Sequence, residues 1–282
     1  MKNITSFFGE FGRLVLRGKF LAFGMRYLFC KEQGFLNNPM VLFWIFTGKF
    51  PRIFHFRYSN YGIWLSGSKD DLTYGFCLKT YSNDLHKILA GIKNEMAFAD
   101  IGANIGVFSL VAQKNKKIKE IYSFEPDPVT FSFLNRNAKF RFTRKLEIFN
   151  VAIGPFSKTS FLSQHTNHSG ASSIIHDIQN GQKAKIVKMV GPEELNGLFF
   201  QSKLPLFIKI DVEGFELEVL QSLSKTDFFY RIESFFIEFD IHMGELELVS
   251  HFLSERGFSE VLRMGTTEHW DALWQRDTTN CP

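Results

Sequence analysis

"FADIGANIGVFSL", Phe98 to Leu110, carries an acidic residue at the mouth of an apolar run and then a Gly-x-Asn-x-Gly turn. The run Ala97–Ile101 reads as a buried strand and the segment from Ile105 to Gln113 as a helix, so the turn lies where a strand's C-terminal end feeds a helix N-terminus. Open α/β sheets bind ligands at that edge. Glycines there let backbone approach a ligand with φ values that a Cβ forbids. A diphosphate-binding turn would read Gly-x-Gly-x-x-Gly, with the pyrophosphate on the helix N-terminus. Here Asn104 stands where a glycine would, and Asp100 is a negative charge where phosphate would be repelled. A ligand with a cationic or amine-bearing group is expected instead.

The next strand supplies a partner for a ribose. "IYSFEPDP" puts Glu125 19 residues after Gly106, and Pro126 ends the strand so that the carboxylate projects over the ligand. S-adenosylmethionine, with its sulfonium, ammonium and ribose, meets this description. The expected cofactor residues are Asp100, Gly102, Asn104, Gly106, Ser109, Glu125 and Pro126. In "LEIFNVAIG", Asn150 is placed at the edge of the adenine and Ala152 on its face, although an Asn at a strand end also serves as a turn former.

"LFIKIDVEGFELEVL" puts Asp211 and Glu213 at a strand end after an apolar run that contains Lys209. Strand alternation points the three to one side, and charge clustered beside a core is costly unless paired or bound to a ligand. Glu216 and Glu218 read as solvated helix positions. "FFIEFDIHMGE" brings Glu238, Asp240 and His242 to one face of a further strand. These suit positioning of an acceptor better than a metal, and no metal is expected. Asp211 and Glu213 are the first candidates for a general base, with Asp211 also beside the cofactor. His242 follows them, then His165 and His168 of a polar loop.

From residue 97 on, short apolar runs alternate with amphipathic segments, the pattern of an α/β sheet with covering helices. Further strands are expected near Ile121–Phe124, Leu146–Val151, Leu206–Asp211 and Ser234–Phe239, with helices near Pro128–Phe140, Phe215–Leu223 and Glu245–Arg256. Lys158 to Val190 breaks the alternation and reads as an inserted hairpin or flap over the ligand edge. Its "SGASS" offers Ser172 and Ser173 to the substrate. "FSEVLRM" and "WDALWQR" read as closing strands.

Together, "FADIGANIGVFSL", "FEPDP", "NVAIG", "SGASS" and "IKIDVEGFELEVL" resemble the FkbM-like S-adenosylmethionine-dependent methyltransferases over about Asn94 to Phe239. The resemblance implies a Rossmann-like class I methyltransferase fold with a seven-stranded, mostly parallel sheet and helices on both faces. It implies methyl transfer, usually to a hydroxyl of a sugar or of a polyketide-type compound. By position, Asp100, Gly102, Asn104, Gly106 and Glu125 would contact the cofactor, with Asp211 and Glu213 by the reacting methyl. A glycan or glycolipid hydroxyl is the expected acceptor. A polyketide-type small molecule, or a non-catalytic S-adenosylmethionine-binding protein, is the alternative. A nicotinamide oxidoreductase would want the missing Gly-x-Gly-x-x-Gly.

The expected organisation is an N-terminal extension over 1–93, for substrate or membrane-surface docking, and a methyltransferase domain over 94–282. Residues 1–57 have nine Lys or Arg against two Glu, leaving 24 basic and 27 acidic residues in the remainder. Attraction to an anionic membrane surface therefore belongs to the N-terminal segment, and the near-neutral remainder gives no reason to expect nucleic acid. An amphipathic pattern over the first thirty or so residues suits either an interface or a core-covering helix. The apolar run Pro39–Phe46 falls far short of the ~20 residues a spanning helix needs. Three scattered cysteines, Cys30, Cys77 and Cys281, fit a reducing compartment, so a cytoplasmic enzyme is expected, contacting at most the cytoplasmic face of a membrane.

Overall fold

A computed structural model describes residues 56–79, 84–140, 145–163, 168–175, 184–199, 203–241 and 246–277. The chain divides into two compact units, residues 1–54 and 55–282, and every described residue belongs to the second. The basic N-terminal segment thus lies outside the described residues, apart from Phe56 and Arg57. Among the described residues no helix is long and apolar enough to cross a membrane.

The elements, in chain order, are β1 (Phe56–Tyr58), β2 (Trp64–Ser66), α1 (Leu72–Lys79), α2 (Leu85–Gly91), β3 (Met96–Ile101), α3 (Val107–Ala112), β4 (Ile118–Phe124), α4 (Pro128–Phe140) and β5 (Lys145–Phe149). There follow β6 (Ala152–Ile153), β7 (Lys158–Ser163), β8 (Ile174–Ile175), β9 (Ala184–Val190), α5 (Pro192–Phe199), β10 (Leu206–Ile210), α6 (Glu216–Leu223), β11 (Ile232–Asp240), α7 (Leu246–Ser254), β12 (Phe258–Gly265) and β13 (His269–Arg276).

Seven strands form the main sheet in the order β12-β13-β11-β10-β3-β4-β5. β5, β4, β3, β10 and β11 are mutually parallel, and β13 runs antiparallel to both β11 and β12. All of β3 and β10 is buried, as consecutive apolar residues in a sheet covered on both faces require. The strand order reverses between β3 and β10, because β3 continues to β4 on one side and β10 to β11 on the other. That reversal opens a crevice at the strand C-termini.

One face of the sheet packs Ala97, Ala99 and Ile101 of β3 with Ile208, Ile210 and the helices α6 and α7. The opposite face packs Phe98, Phe207, Phe236 and Leu273 against α3 and against Ile63, Leu65, Tyr74, Cys77, Leu85 and Leu89. The elements from β2 to α2 therefore share a core with the sheet. Asn137 of α4 pins them: its side chain accepts from Ser66 N at 2.7 Å and donates to the carbonyls of Ser66 at 3.0 Å and Ile105 at 2.8 Å. Buried amides satisfied in this way fix register as well as position.

Two local outcomes differ from the strand pattern expected of the sequence. The strand expected to run to Val151 stops at Phe149, because Asn150 turns the chain by donating to the carbonyls of Glu125 and Pro126 at 2.8 and 3.0 Å. The inserted segment is more than a hairpin: β6, β9, β7 and β8 make a second, four-stranded sheet. The two expected closing strands are present as β12 and β13, paired antiparallel.

Candidate active site

The crevice at the β3–β10 reversal is a cavity of about 280 Å³, lined from four directions. β3 and its turn give Gly102, Asn104, Val107 and Phe108, and β4 gives Phe124, Glu125 and Pro126. The inserted sheet and its crossing loop give Ala152, Leu162, His168, Ser169, Gly170, Ser172 and Ile174. β10, β11 and β13 give Lys209, Asp211, Glu213, Glu238 and His269, and α1 gives Thr73, Phe76 and Cys77.

On the cofactor side, backbone geometry dominates. Gly102, Asn104 and Gly106 all have positive φ, at 73°, 49° and 86°. A Cβ on Gly102 would lie 1.7 Å from the carbonyl oxygen of Asp211, so only glycine lets the ends of β3 and β10 meet. Asn104 takes the left-handed conformation that Asn tolerates better than most residues. Its Oδ1 accepts from Ile105 N at 2.8 Å and its Nδ2 donates to Ser169 Oγ at 3.1 Å. Ser169 Oγ in turn donates to Asp71 Oδ2 at 2.6 Å, which ties the inserted segment to the start of α1.

Glu125 accepts from Asn104 N at 2.9 Å through Oε2 and from Asp127 N at 2.8 Å through Oε1. Each oxygen keeps acceptor capacity toward the cavity, which is what two ribose hydroxyls require. Burial pushes its pKa up to about 8, against the lowering effect of these backbone donors. Asp127 caps α4, with Val129 N donating to Oδ1 at 2.7 Å.

Asp100 and Ser109 support the turn from beneath. Asp100 is fully buried, and its Oδ2 accepts from Ser109 N at 3.0 Å and Ser109 Oγ at 2.5 Å. Its Oδ1 lies 3.4 Å from Lys209 Nζ, so its charge is matched within the core. Asp100, Gly106, Ser109, Asn150 and Ser173 are not among the cavity-lining residues. The Ser173 backbone is spent inside the insertion, where its N–H donates to Ser163 Oγ at 2.9 Å. The exclusion of a diphosphate thus rests on Glu125 and Asp211, which do face the cavity.

On the opposite side, side chains dominate. Lys209 Nζ lies 2.9 Å from the Gly102 carbonyl and 3.0 Å from Asp211 Oδ2. Burial alone would lower the Lys209 pKa, but Asp211 and Asp100 overcome it and hold the ammonium well above its usual value. Asp211 is pushed up by burial and by Glu238. Glu213, at a φ of 56°, is pushed up by burial and then by Asp211, Glu238 and Glu216. Glu216 is no freely solvated helix position: its Oε1 accepts from Gly214 N at 3.1 Å, and burial raises its pKa.

His242 and His165 lie outside the described residues. Among the described residues, the histidine that reaches the acidic face is His269 of β13, whose Nε2 is 2.6 Å from Glu238 Oε1. Asp271, two residues on, is raised to about 7 by burial and by Asp211. Local sequence hides both, because only the antiparallel pairing of β13 with β11 sets Asp271 opposite Glu238 and His269 opposite Asp240. Among the described residues no cluster of His, Cys, Asp and Glu is arranged to hold a metal ion.

The donor set can be tested against S-adenosylmethionine. Glu125 offers free acceptor capacity to a ribose, and Phe124, Val151, Ala152, Leu162 and Ile174 supply apolar surface beside it for a purine. Glu238, held ionised, and the carboxyl oxygens of Glu125, Asp211 and Glu213 give the cavity an acceptor-rich wall, which suits a sulfonium and an ammonium. The residues present fit this cofactor.

The sequence is similar to known methyltransferases. The methyltransferase FkbM domain model matches residues 100–260. "Methyltransferase 1" of Beauveria bassiana is 23% identical over 190 residues, which cover 61% of this chain and 75% of that protein. "Methyltransferase sdnD" of Sordaria araneosa is 26% identical over 165 residues, 49% of this chain and 64% of its own length. Among solved structures, TrmK of M. capricolum in complex with S-adenosyl-homocysteine overlaps 69% of this chain and 68% of its own, at 14% identity and a TM-score of 0.41. The glycine turn at Gly102, the carboxylate at Glu125 and the Asp211 strand end all fall inside the matched segment, and the chain belongs to the methyltransferase FkbM domain family, with S-adenosylmethionine as its cofactor.

Proposed function

We propose that the chain is an O-methyltransferase acting on a sugar hydroxyl of a glycan or glycolipid, with Asp211 as the general base. The observation that carries this reading is the row of carboxylates, Asp211, Glu213 and Glu238, facing the cavity next to the glycine turn. Carboxylates accept hydrogen bonds from hydroxyls and repel phosphates, so the site favours a polyol over a nucleic acid.

When bound, S-adenosylmethionine supplies an electrophilic methyl group whose carbon–sulfur bond breaks as the acceptor oxygen bonds to carbon. Glu125 and the Gly102–Asn104 backbone hold the ribose and the methionine end. Asp211 takes the hydroxyl proton as the new bond forms. Its raised pKa brings it closer to neutrality, where a base combines ionisation with proton affinity. Glu213 and Glu238 orient the acceptor, and Ser172 contributes from the insertion. Alignment of the reactants is worth about 7–11 kcal/mol, more than any single proton transfer.

Residues 1–93 form an acceptor-docking extension on this reading. Support comes from Thr73, Phe76 and Cys77, which bring α1 to the cavity. Phe76, half exposed there, also suits a less polar acceptor of polyketide type. The +7 charge of residues 1–57 suits a cytoplasmic enzyme that visits an anionic membrane face. Pelleting with anionic vesicles, with and without residues 1–54, tests that placement.

The function itself is tested by incubating the protein with methyl-labelled S-adenosylmethionine and cell extract, then determining the labelled product's mass and linkage. A methyl ether on a sugar supports the proposal. Label on nitrogen, carbon or RNA overturns it.

A further inference from the structure

The charged end of the cavity holds one group that the base assignment does not use. The His269 Nε2 lies 2.6 Å from Glu238 Oε1, and its Nδ1 lies 3.9 Å from Asp240 Oδ2. Glu238 is hydrogen-bonded in turn to Asp211. Asp211 meets the buried Lys209 at 3.0 Å. A line of charged groups therefore runs from Lys209, 4% exposed at its side chain, through Asp211 and Glu238 to His269, 55% exposed.

We propose that His269 is a positioning residue for methyl transfer: its imidazolium keeps Glu238 ionised, and Glu238 then fixes the Asp211 carboxyl toward the acceptor and shares the proton that Asp211 collects. This rests on the reading of Asp211 as the base. The alternative cation, Lys209, is committed to Asp100, Asp211 and the Gly102 carbonyl. Among the described residues, the other groups facing this line are Glu125 after β4, Glu213 and Glu216 after β10, Asp240 on β11, Asp271 on β13, Asp84 before α2 and the Cys77 thiol of α1. From β12 the residue opposite Asp271 is the uncharged Met264. The surroundings are thus acidic, and an imidazolium is the complement they call for.

The ionisation directions agree with the geometry. The hydrogen bond to Glu238 pushes His269 up to about 9, so the ring is charged at neutral pH. Burial would raise Glu238, but its hydrogen bonds with His269 and Asp211 hold it below the ordinary carboxylate value. With the imidazolium gone, the Asp211–Glu238 pair keeps its shared proton to higher pH, since a cation at this distance lowers carboxylate pKa values by about 1–3 units.

Two measurements on the whole protein test this. In the first, ring resonances of His269 are followed by NMR against pH, in the wild type and in Glu238→Gln. The expected midpoint lies above pH 8 and falls by about two units in the variant; a midpoint below pH 7 in both proteins would overturn the proposal. In the second, labelled methyl transfer into a fixed cell extract is measured across pH. His269→Gln should lose about tenfold at pH 7 and recover at pH 9, while His269→Lys, which keeps a cation, should restore most of the pH 7 rate. An equal loss at every pH, or no loss, overturns the positioning role. Asp211→Asn, run alongside, separates the two readings: full turnover in that variant removes the base assignment itself, whereas an inactive Asp211→Asn beside a pH-independent His269→Gln removes only the role of His269.

Discussion

The two halves of the cavity are built on different principles. At the ends of β3 and β4 the surface is made by backbone: left-handed turns at Gly102, Asn104 and Gly106, and a carboxylate, Glu125, whose place is fixed by two main-chain donors. At the ends of β10, β11 and β13 it is made by side chains that hold one another, Lys209 with Asp211, Asp211 with Glu238, Glu238 with His269. On the proposed reading the first half is preorganised for S-adenosylmethionine, which each turnover consumes and replaces. The second half, on the same reading, moves protons: burial and then neighbouring carboxylates raise Asp211 and Glu213, while hydrogen bonds with His269 and Asp211 hold Glu238 down. A binding surface tolerates satisfied charges, whereas a reacting surface needs charges kept near their switching point.

This contrast predicts where damage should fall. The largest effect belongs to the reacting half: Asp211→Asn should lower turnover by about 10²- to 10⁴-fold, read from initial rates with labelled cofactor. Next, Lys209→Met should destabilise the fold by about 3–5 kcal/mol in denaturant titrations, because it leaves Asp100 buried without its cation. Gly102→Ala should follow at about 1–3 kcal/mol from the left-handed backbone alone, more if the Asp211 carbonyl cannot yield, read as a lowered denaturation midpoint. If Lys209→Met proved silent, the two halves would not be joined through that ammonium.

A smaller effect should appear in the pH dependence of stability. Glu125 and Asp271 have folded-state pKa values of about 8 and about 7, above those of an unfolded chain, and His269 is raised to about 9. In each case the folded state binds the proton more tightly. The carboxylates therefore weaken the fold progressively as pH rises from their ordinary values toward 8, and the stabilisation from His269 is lost between about 6.5 and 9. The unfolding temperature should fall by a few degrees from pH 6 to pH 9 at constant ionic strength, and Glu125→Gln should flatten part of that slope.

The same contrast explains what could be read from the chain. The cofactor half is local: Asp100 to Gly106 is one turn, and Glu125 follows at a spacing set by one helix and one strand, so motif and distance exposed it. Even so, spacing could not tell residues that touch the cavity from those that support it. Asp100, Ser109 and Asn150 carry polar groups at the right places yet spend them on Lys209, on each other or on backbone carbonyls. The reacting half is legible only where it lies on one strand, at Lys209, Asp211 and Glu213, or at Glu238. His269 and Asp271 join it through an antiparallel pairing across about thirty residues of chain, a relation that no periodicity encodes. The strand positions were legible for the reason that buried parallel strands advertise themselves as unbroken apolar runs. The insertion was legible as a break in the alternation of strands and helices, but its four-stranded pairing was not, because short strands broken by polar turns carry little pattern.

The most direct test of this division is the equilibrium affinity for S-adenosylmethionine, measured by calorimetry on the wild type, Glu125→Gln and Asp211→Asn. With Glu125 as the ribose partner and Asp211 reserved for the acceptor's proton, Glu125→Gln should weaken binding by about tenfold, the scale of one lost hydrogen bond, and Asp211→Asn should leave it within about twofold. Unchanged affinity in Glu125→Gln, or an equal loss in both variants, would contradict the account.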